Sequence, residues 1–214
     1  MNSATLRSVI DGPAGLIECA IDNPATHPPR GLALLCHPHP QHGGTMDNKV
    51  VQTLARAFVQ LGYSSVRFNF RGVGASQGAW DEGRGEIDDA LAVVATQRAA
   101  QNQAGQPLVL AGFSFGGYVA SQAALRLAAR GEGAERVVLV GPAVKSFAVA
   151  AVPADSLVIH GEVDDVVLLS DLFDWARPQA LPVTVLPGAG HFFHGQLPVL
   201  KQIVVSAWAS RAGA

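Results

Sequence analysis

Cysteine is scarce in this chain of 214 residues: Cys19 and Cys36 are the only two, and no CxxC pair occurs. That excludes the dense disulfide framework of a small secreted domain. Each cysteine lies in an apolar stretch, LIECAI or ALLCH, and two buried free thiols are expected. Excess charge of either sign is also missing. Lys and Arg total 15 and Asp and Glu 17, a net charge of -2. No basic surface is available to bind nucleic acid. No apolar run is long enough to span a membrane, and the opening MNSATLRSVIDGPAG lacks the apolar core of a signal peptide. The expectation is a cytoplasmic protein with neither a membrane nor a nucleic-acid partner. Repeats, low-complexity tracts and linkers are absent as well, so residues 1–214 are expected to form a single domain.

What the chain does have is apolar residues, 49% of the total, arranged as short runs between longer amphipathic stretches. The runs predict strands at Leu16–Ile21, Gly31–Cys36, Ser64–Phe70, Leu108–Ala111, Arg136–Val140, Leu157–His160 and Val183–Leu186, with a further one near Leu6–Ile10. Helices are predicted at Asn48–Leu61, Glu86–Gln101, Phe115–Arg130, Leu168–Ala176 and about Leu197–Ser210. Runs such as LALLC, LVLAG, VVLVG and LVIHG are apolar throughout, as strands buried on both faces are. Strand alternating with helix predicts an α/β fold, with a mostly parallel sheet flanked by helices on both faces.

One of these buried strands runs into Gly112-Phe113-Ser114-Phe115-Gly116 and then directly into a helix. This is G-x-S-x-G in the strand–turn–helix setting that gives the pattern meaning. A serine on so tight a turn needs glycine on both sides, because a side chain two residues away would strike neighbouring backbone. Its hydroxyl then projects beside a helix N-terminus, whose free N–H groups suit a developing negative charge.

Two further strand ends carry candidate partners. LVIHGEVDD places Asp164 at the carboxyl edge of the sheet, where ligands bind in open α/β folds. The HGxxD spacing selects Asp164 over Asp165, which suits a helix cap, and over Glu162. VTVLPGAGHFFHG presents His191 on a glycine-rich loop, with His194 as the competitor. The chain order Ser114, Asp164, His191 is that of the α/β-hydrolase triad. His191 would act as general base, and Asp164 would fix its tautomer.

An acyl-transfer site also needs two N–H donors for the oxyanion. The residue after the nucleophile, Phe115, supplies one. The other is expected from the loop CHPHPQHGG. Pro38 and Pro40 have no N–H, which leaves His39, with Gln41 in reserve. The three histidines of this loop invite a metal reading, but no carboxylate or cysteine completes a ligand set. Arg71-Gly72-Val73-Gly74 begins like a dinucleotide fingerprint, yet Gln77 stands where the third glycine belongs. No metal and no cofactor are expected.

The runs HPHPQHGGTMDNKVV, VRFNFRGVGASQG, AGFSFGGYVA and HGEVDD resemble the α/β-hydrolase superfamily, in particular its small dienelactone-hydrolase-like and acyl-peptidase-like members. The resemblance spans about Gly31 to His191 and implies the α/β-hydrolase fold. It also implies Ser114 as nucleophile, Asp164 as acid, His191 as base, and Phe115 and His39 as oxyanion donors. The chain differs from dienelactone hydrolases proper in having serine where they carry cysteine. Where many relatives insert a helical lid, it has only Pro142–Asp155, so a lidless, open site is expected. The expected reaction is hydrolysis of a small-molecule carboxylic ester or thioester through an acyl-serine. Alternatives are a peptidase or amidase of the same fold, or a non-catalytic binding module. The sequence does not fix the oligomeric state.

Overall fold

A computed structural model describes residues 5–25, 28–100 and 105–209. Its eight strands are β1 (Leu6–Gly12), β2 (Gly15–Asp22), β3 (Gly31–Cys36), β4 (Tyr63–Phe68), β5 (Leu108–Phe113), β6 (Arg136–Val140), β7 (Leu157–Gly161) and β8 (Val183–Leu186). The helices are α1 (Lys49–Gln60), α2 (Arg84–Ala100), α3 (Phe115–Ala128), α4 (Leu169–Ala176) and α5 (Leu197–Ala209). The strands form one sheet in the order β1-β2-β4-β3-β5-β6-β7-β8. From β4 to β8 every pairing is parallel, while β1–β2 and β2–β4 are antiparallel.

The all-apolar strands bury both faces because successive side chains point opposite ways. In β3, Leu32, Leu34 and Cys36 enter one core and Ala33 and Leu35 the other. In β5, Leu108 and Leu110 separate in the same way from Val109, Ala111 and Phe113. The first core holds Val93, Val119 and Leu172 of α2, α3 and α4; the second holds Leu54 and Phe58 of α1 and Val204 of α5. The chain thus becomes the three-layered fold its alternating runs predict.

Strand ends differ from expectation by a few residues. Strand β5 extends to Phe113, two residues beyond its predicted end, and β4 closes at Phe68 rather than Phe70. Asn69 and Phe70 leave the ladder to make other bonds: Asn69 donates its amide to Glu18 O, and Phe70 donates to a histidine ring. The prediction ending at Gln101 runs beyond the described residues, as does the one ending at Ser210.

The β3–α1–β4 unit runs one way along the sheet, and the next crossover returns to place β5 on the other side of β3. The order therefore reverses between β3 and β5, and their carboxyl ends form the crevice where open α/β sheets bind ligands. Cys19 and Cys36 are both free and buried. Burial, with Glu18 nearby, pushes the Cys19 thiol up to about 12, and burial raises Cys36 as well. No described helix is long and apolar enough to cross a membrane.

Candidate active site

Ser114 stands between β5 and α3 with φ 56 and ψ -119, a backbone state that non-glycine residues rarely adopt. Three bonds hold it there: its amide donates to Val140 O (2.9 Å), and its carbonyl accepts from Gly117 N (2.9 Å) and Ala143 N (3.2 Å). The close packing explains the flanking glycines. A Cβ on Gly112 would overlap the Gly116 carbonyl, and one on Gly116 would overlap the Cys36 carbonyl. The Ser114 hydroxyl makes no capping bond to α3, so it is not spent on stabilising the helix.

Asp164 follows β7 and is buried. Its Oδ1 accepts from the amides of Val166 (3.0 Å) and Val167 (2.8 Å), and its Oδ2 lies 2.7 Å from His191 Nδ1. Burial opposes the charged carboxylate, but the His191 hydrogen bond, the Val167 amide and the nearby imidazoles hold it below its ordinary range. Asp165 is exposed, and the cap position of α4 belongs to Leu168; the capping role expected of Asp165 is not taken up. Glu162 is exposed too, but its carboxylate accepts from Gly188 N at 2.8 Å. With Val163 N donating to Ala189 O (3.0 Å), this ties the Asp164 loop to the His191 loop.

His191 is buried, its ring 4.9 Å from that of Phe113. Because Nδ1 faces Asp164, only the other ring nitrogen remains to bond a further partner. Gly141, at the end of β6, passes beneath the pair: a Cβ there would lie 3.3 Å from His191 Cε1 and 3.5 Å from Asp164 Oδ2. The preceding residue, Val140, accepts the Ser114 amide. One strand end thus adjoins all three candidate residues. His194 is exposed in a turn ahead of α5.

The loop after β3 turns at His39 (φ -53, ψ 121). The His39 ring Nδ1 accepts the Gln41 amide at 3.2 Å, which commits the reserve donor. Neither the His39 amide nor the Phe115 amide donates to a backbone carbonyl among the described residues; the latter is a free first-turn N–H of α3. The two rings lie 5.2 Å apart. Burial, together with His42, lowers the His39 pKa.

Two buried histidines have roles that motif reading did not reveal. His37 is sealed, with Nδ1 2.6 Å from Pro38 O and Nε2 accepting from Phe70 N at 3.1 Å. Burial pulls its pKa down to about 4, so it pins the His39 loop to the segment after β4 as a neutral ring. His160 of the HGxxD run bonds through Nε2 to Val167 O (2.8 Å), and the same nitrogen lies 3.6 Å from Asp164 Oδ2. It buttresses the turn that carries Asp164. Among the described residues, no cluster of three His, Cys, Asp or Glu side chains is placed to hold a metal.

Comparison with known proteins places the chain in a family. The sequence pattern of the family "Serine aminopeptidase, S33" matches residues 27–157. A lidless α/β serine hydrolase of Xanthomonas campestris is 36% identical, with a TM-score of 0.86 over 97% of this chain and 94% of that one. An α/β serine hydrolase homologue of Coxiella burnetii is 39% identical, with a TM-score of 0.83 over 94% of this chain and 96% of that one. An uncharacterised protein of Rickettsia prowazekii is 34% identical over 86% of this chain and 80% of its own length. The β6–β7 connection of the present chain contains no helix, as befits a fold without a lid. The chain belongs to the serine aminopeptidase S33 family, within the α/β-hydrolase superfamily, and is a lidless serine hydrolase of that fold.

Proposed function

We propose that the protein hydrolyses carboxylic esters or thioesters through an acyl intermediate on Ser114. The observation that carries this reading is the buried 2.7 Å bond between Asp164 and His191, beside a serine held at positive φ. A hydroxyl is a weak nucleophile until a base removes its proton. His191 takes that proton through Nε2 and returns it to the leaving group. Asp164 keeps Nδ1 protonated and stabilises the imidazolium. The tetrahedral oxyanion accepts from the Phe115 and His39 amides, each worth roughly a hundred- to thousand-fold in rate. A water then attacks the acyl-serine, with His191 again as base. The scheme needs no cofactor, and the two free thiols fit a reducing, cytoplasmic setting.

The test is covalent. A fluorophosphonate probe should add to Ser114 in the wild type, located by peptide mass, and not to Ser114→Ala. The labelled protein should lose its turnover of p-nitrophenyl acetate. An unlabelled Ser114 would favour a binding module on a hydrolase scaffold. The family's name makes an amino-acyl anilide the natural competing substrate, and faster cleavage of it than of the matching ester would favour the peptidase reading.

A further inference from the structure

Rings from separate stretches of chain meet next to the Ser114 turn. Phe115 forms a fully buried floor. Around it stand Trp80, from the segment after β4, Tyr118 of α3, and Phe147 of the β6–β7 connection, with ring centroids 5.1, 5.8 and 4.9 Å from Phe115. His39 closes the set, 4.6 Å from Trp80 and 5.7 Å from Phe147. All but Phe115 remain partly exposed. A folded chain gains by covering such rings, and clustered apolar surface left wet beside a reaction centre marks a place where a ligand completes the packing.

The chemistry decides which part of a substrate lies there. In the tetrahedral intermediate the carbonyl oxygen turns to the His39 and Phe115 amides. The leaving oxygen turns to His191, which must protonate it. The acyl chain takes the remaining direction, and the apolar surface gathered next to the Ser114 turn is the ring set of Phe115, Trp80, Tyr118 and Phe147. The flank beside His191 carries the exposed Phe192 and Val163 instead. These are left for the leaving alcohol.

We propose that the ring cluster is the acyl wall of the site and that the substrates are esters of planar aromatic acids. The proposal rests on the acyl-Ser114 reading and adds to it the class of acid. A flat acyl group makes offset or edge-to-face contacts with several of these rings at once, which an aliphatic group of equal size cannot do. A short acyl group would leave the wall wet.

The experiment uses one leaving group, p-nitrophenol, on three acids: acetate, benzoate and cyclohexanecarboxylate. Each kcat/KM is divided by that ester's own rate with hydroxide, to remove intrinsic reactivity. Benzoate should exceed both others by roughly tenfold or more, the scale on which apolar pockets discriminate. Trp80→Leu and Phe147→Leu keep an apolar side chain but lose the plane. Each should lower the benzoate value several-fold more than the cyclohexanecarboxylate value, while thermal unfolding shows the variants folded. Equal or better handling of the cyclohexyl ester by the wild type overturns the proposal. So does a benzoate preference that survives both substitutions. If the fluorophosphonate still labels Ser114 in those cases, the acyl-serine reading stands and only the acid class is wrong. No labelling and no turnover of any ester removes both.

Discussion

Gly112 and Gly116 approach each other across the Ser114 turn so closely that a methyl group on Gly112 would overlap the Gly116 carbonyl oxygen. The obstacle is backbone, which cannot swing aside. Gly112→Ala should therefore cost at least 1–3 kcal/mol, the usual range for overpacking, and abolish fluorophosphonate labelling. Gly133→Ala, where a Cβ meets nothing within 4 Å, should change neither. Thermal unfolding and labelling of the two variants check this, and a fully labelled Gly112→Ala would contradict it.

The oxyanion role proposed for His39 rests on its backbone amide, not its ring. Its φ of -53 is one that proline can adopt, so His39→Pro deletes the N–H without forcing the turn. We expect kcat on p-nitrophenyl acetate to fall by roughly a hundred- to thousand-fold. His39→Ala, which keeps the amide, should lose far less. Similar losses in the two variants would move the role to the imidazole.

Asp164→Asn retains an oxygen for the Val166 and Val167 amides but presents His191 with a group that disfavours the needed tautomer. The expected loss in kcat is about 10⁴-fold, with the fold intact by circular dichroism. Asp165→Asn changes an exposed side chain and should leave the rate within about twofold. The reverse ranking would assign the acid to Asp165.

His37 makes stability depend on pH. Its pKa falls from an unfolded 6.5 to about 4 in the folded chain. Between those values the unfolded state binds the proton and the folded state does not, so stability is present above pH 6.5 and is lost as pH falls toward 4. The loss is about 3 kcal/mol at 1.36 kcal/mol per pH unit. Urea unfolding at pH 7 and pH 4 should show a steeper decline for wild type than for His37→Gln. Parallel declines would show that His37 already titrates normally.

The sheet and the candidate residues were readable because each is written locally. Leu32 to Cys36 and Leu108 to Ala111 lack polar residues because both faces are covered, and Gly112 and Gly116 flank Ser114 because backbone meets backbone there. The choice between Asp164 and Asp165 followed from spacing alone. What the sequence concealed depends on distant contacts. Nothing near His37 in the chain shows that it will accept the amide of Phe70. Trp80 and Phe147 look like ordinary loop aromatics until the switch between β3 and β5 brings their segments to the same crevice. The ends of β4 and β5 shifted for the same reason. Hydrogen bonds from Asn69 and Phe70 to other segments, and pairing of Phe113 with Val140 of β6, decide where a ladder stops.

Both native thiols are sealed inside the sheet packing, and this makes the molecule a convenient chassis for probes. A cysteine introduced at an exposed site such as Leu125 would be the sole reactive sulfur, with no native residue to replace first. A maleimide dye there and a phosphonate reporter on Ser114 would address the protein orthogonally. The distance between them would then report the arrangement of the blocked site.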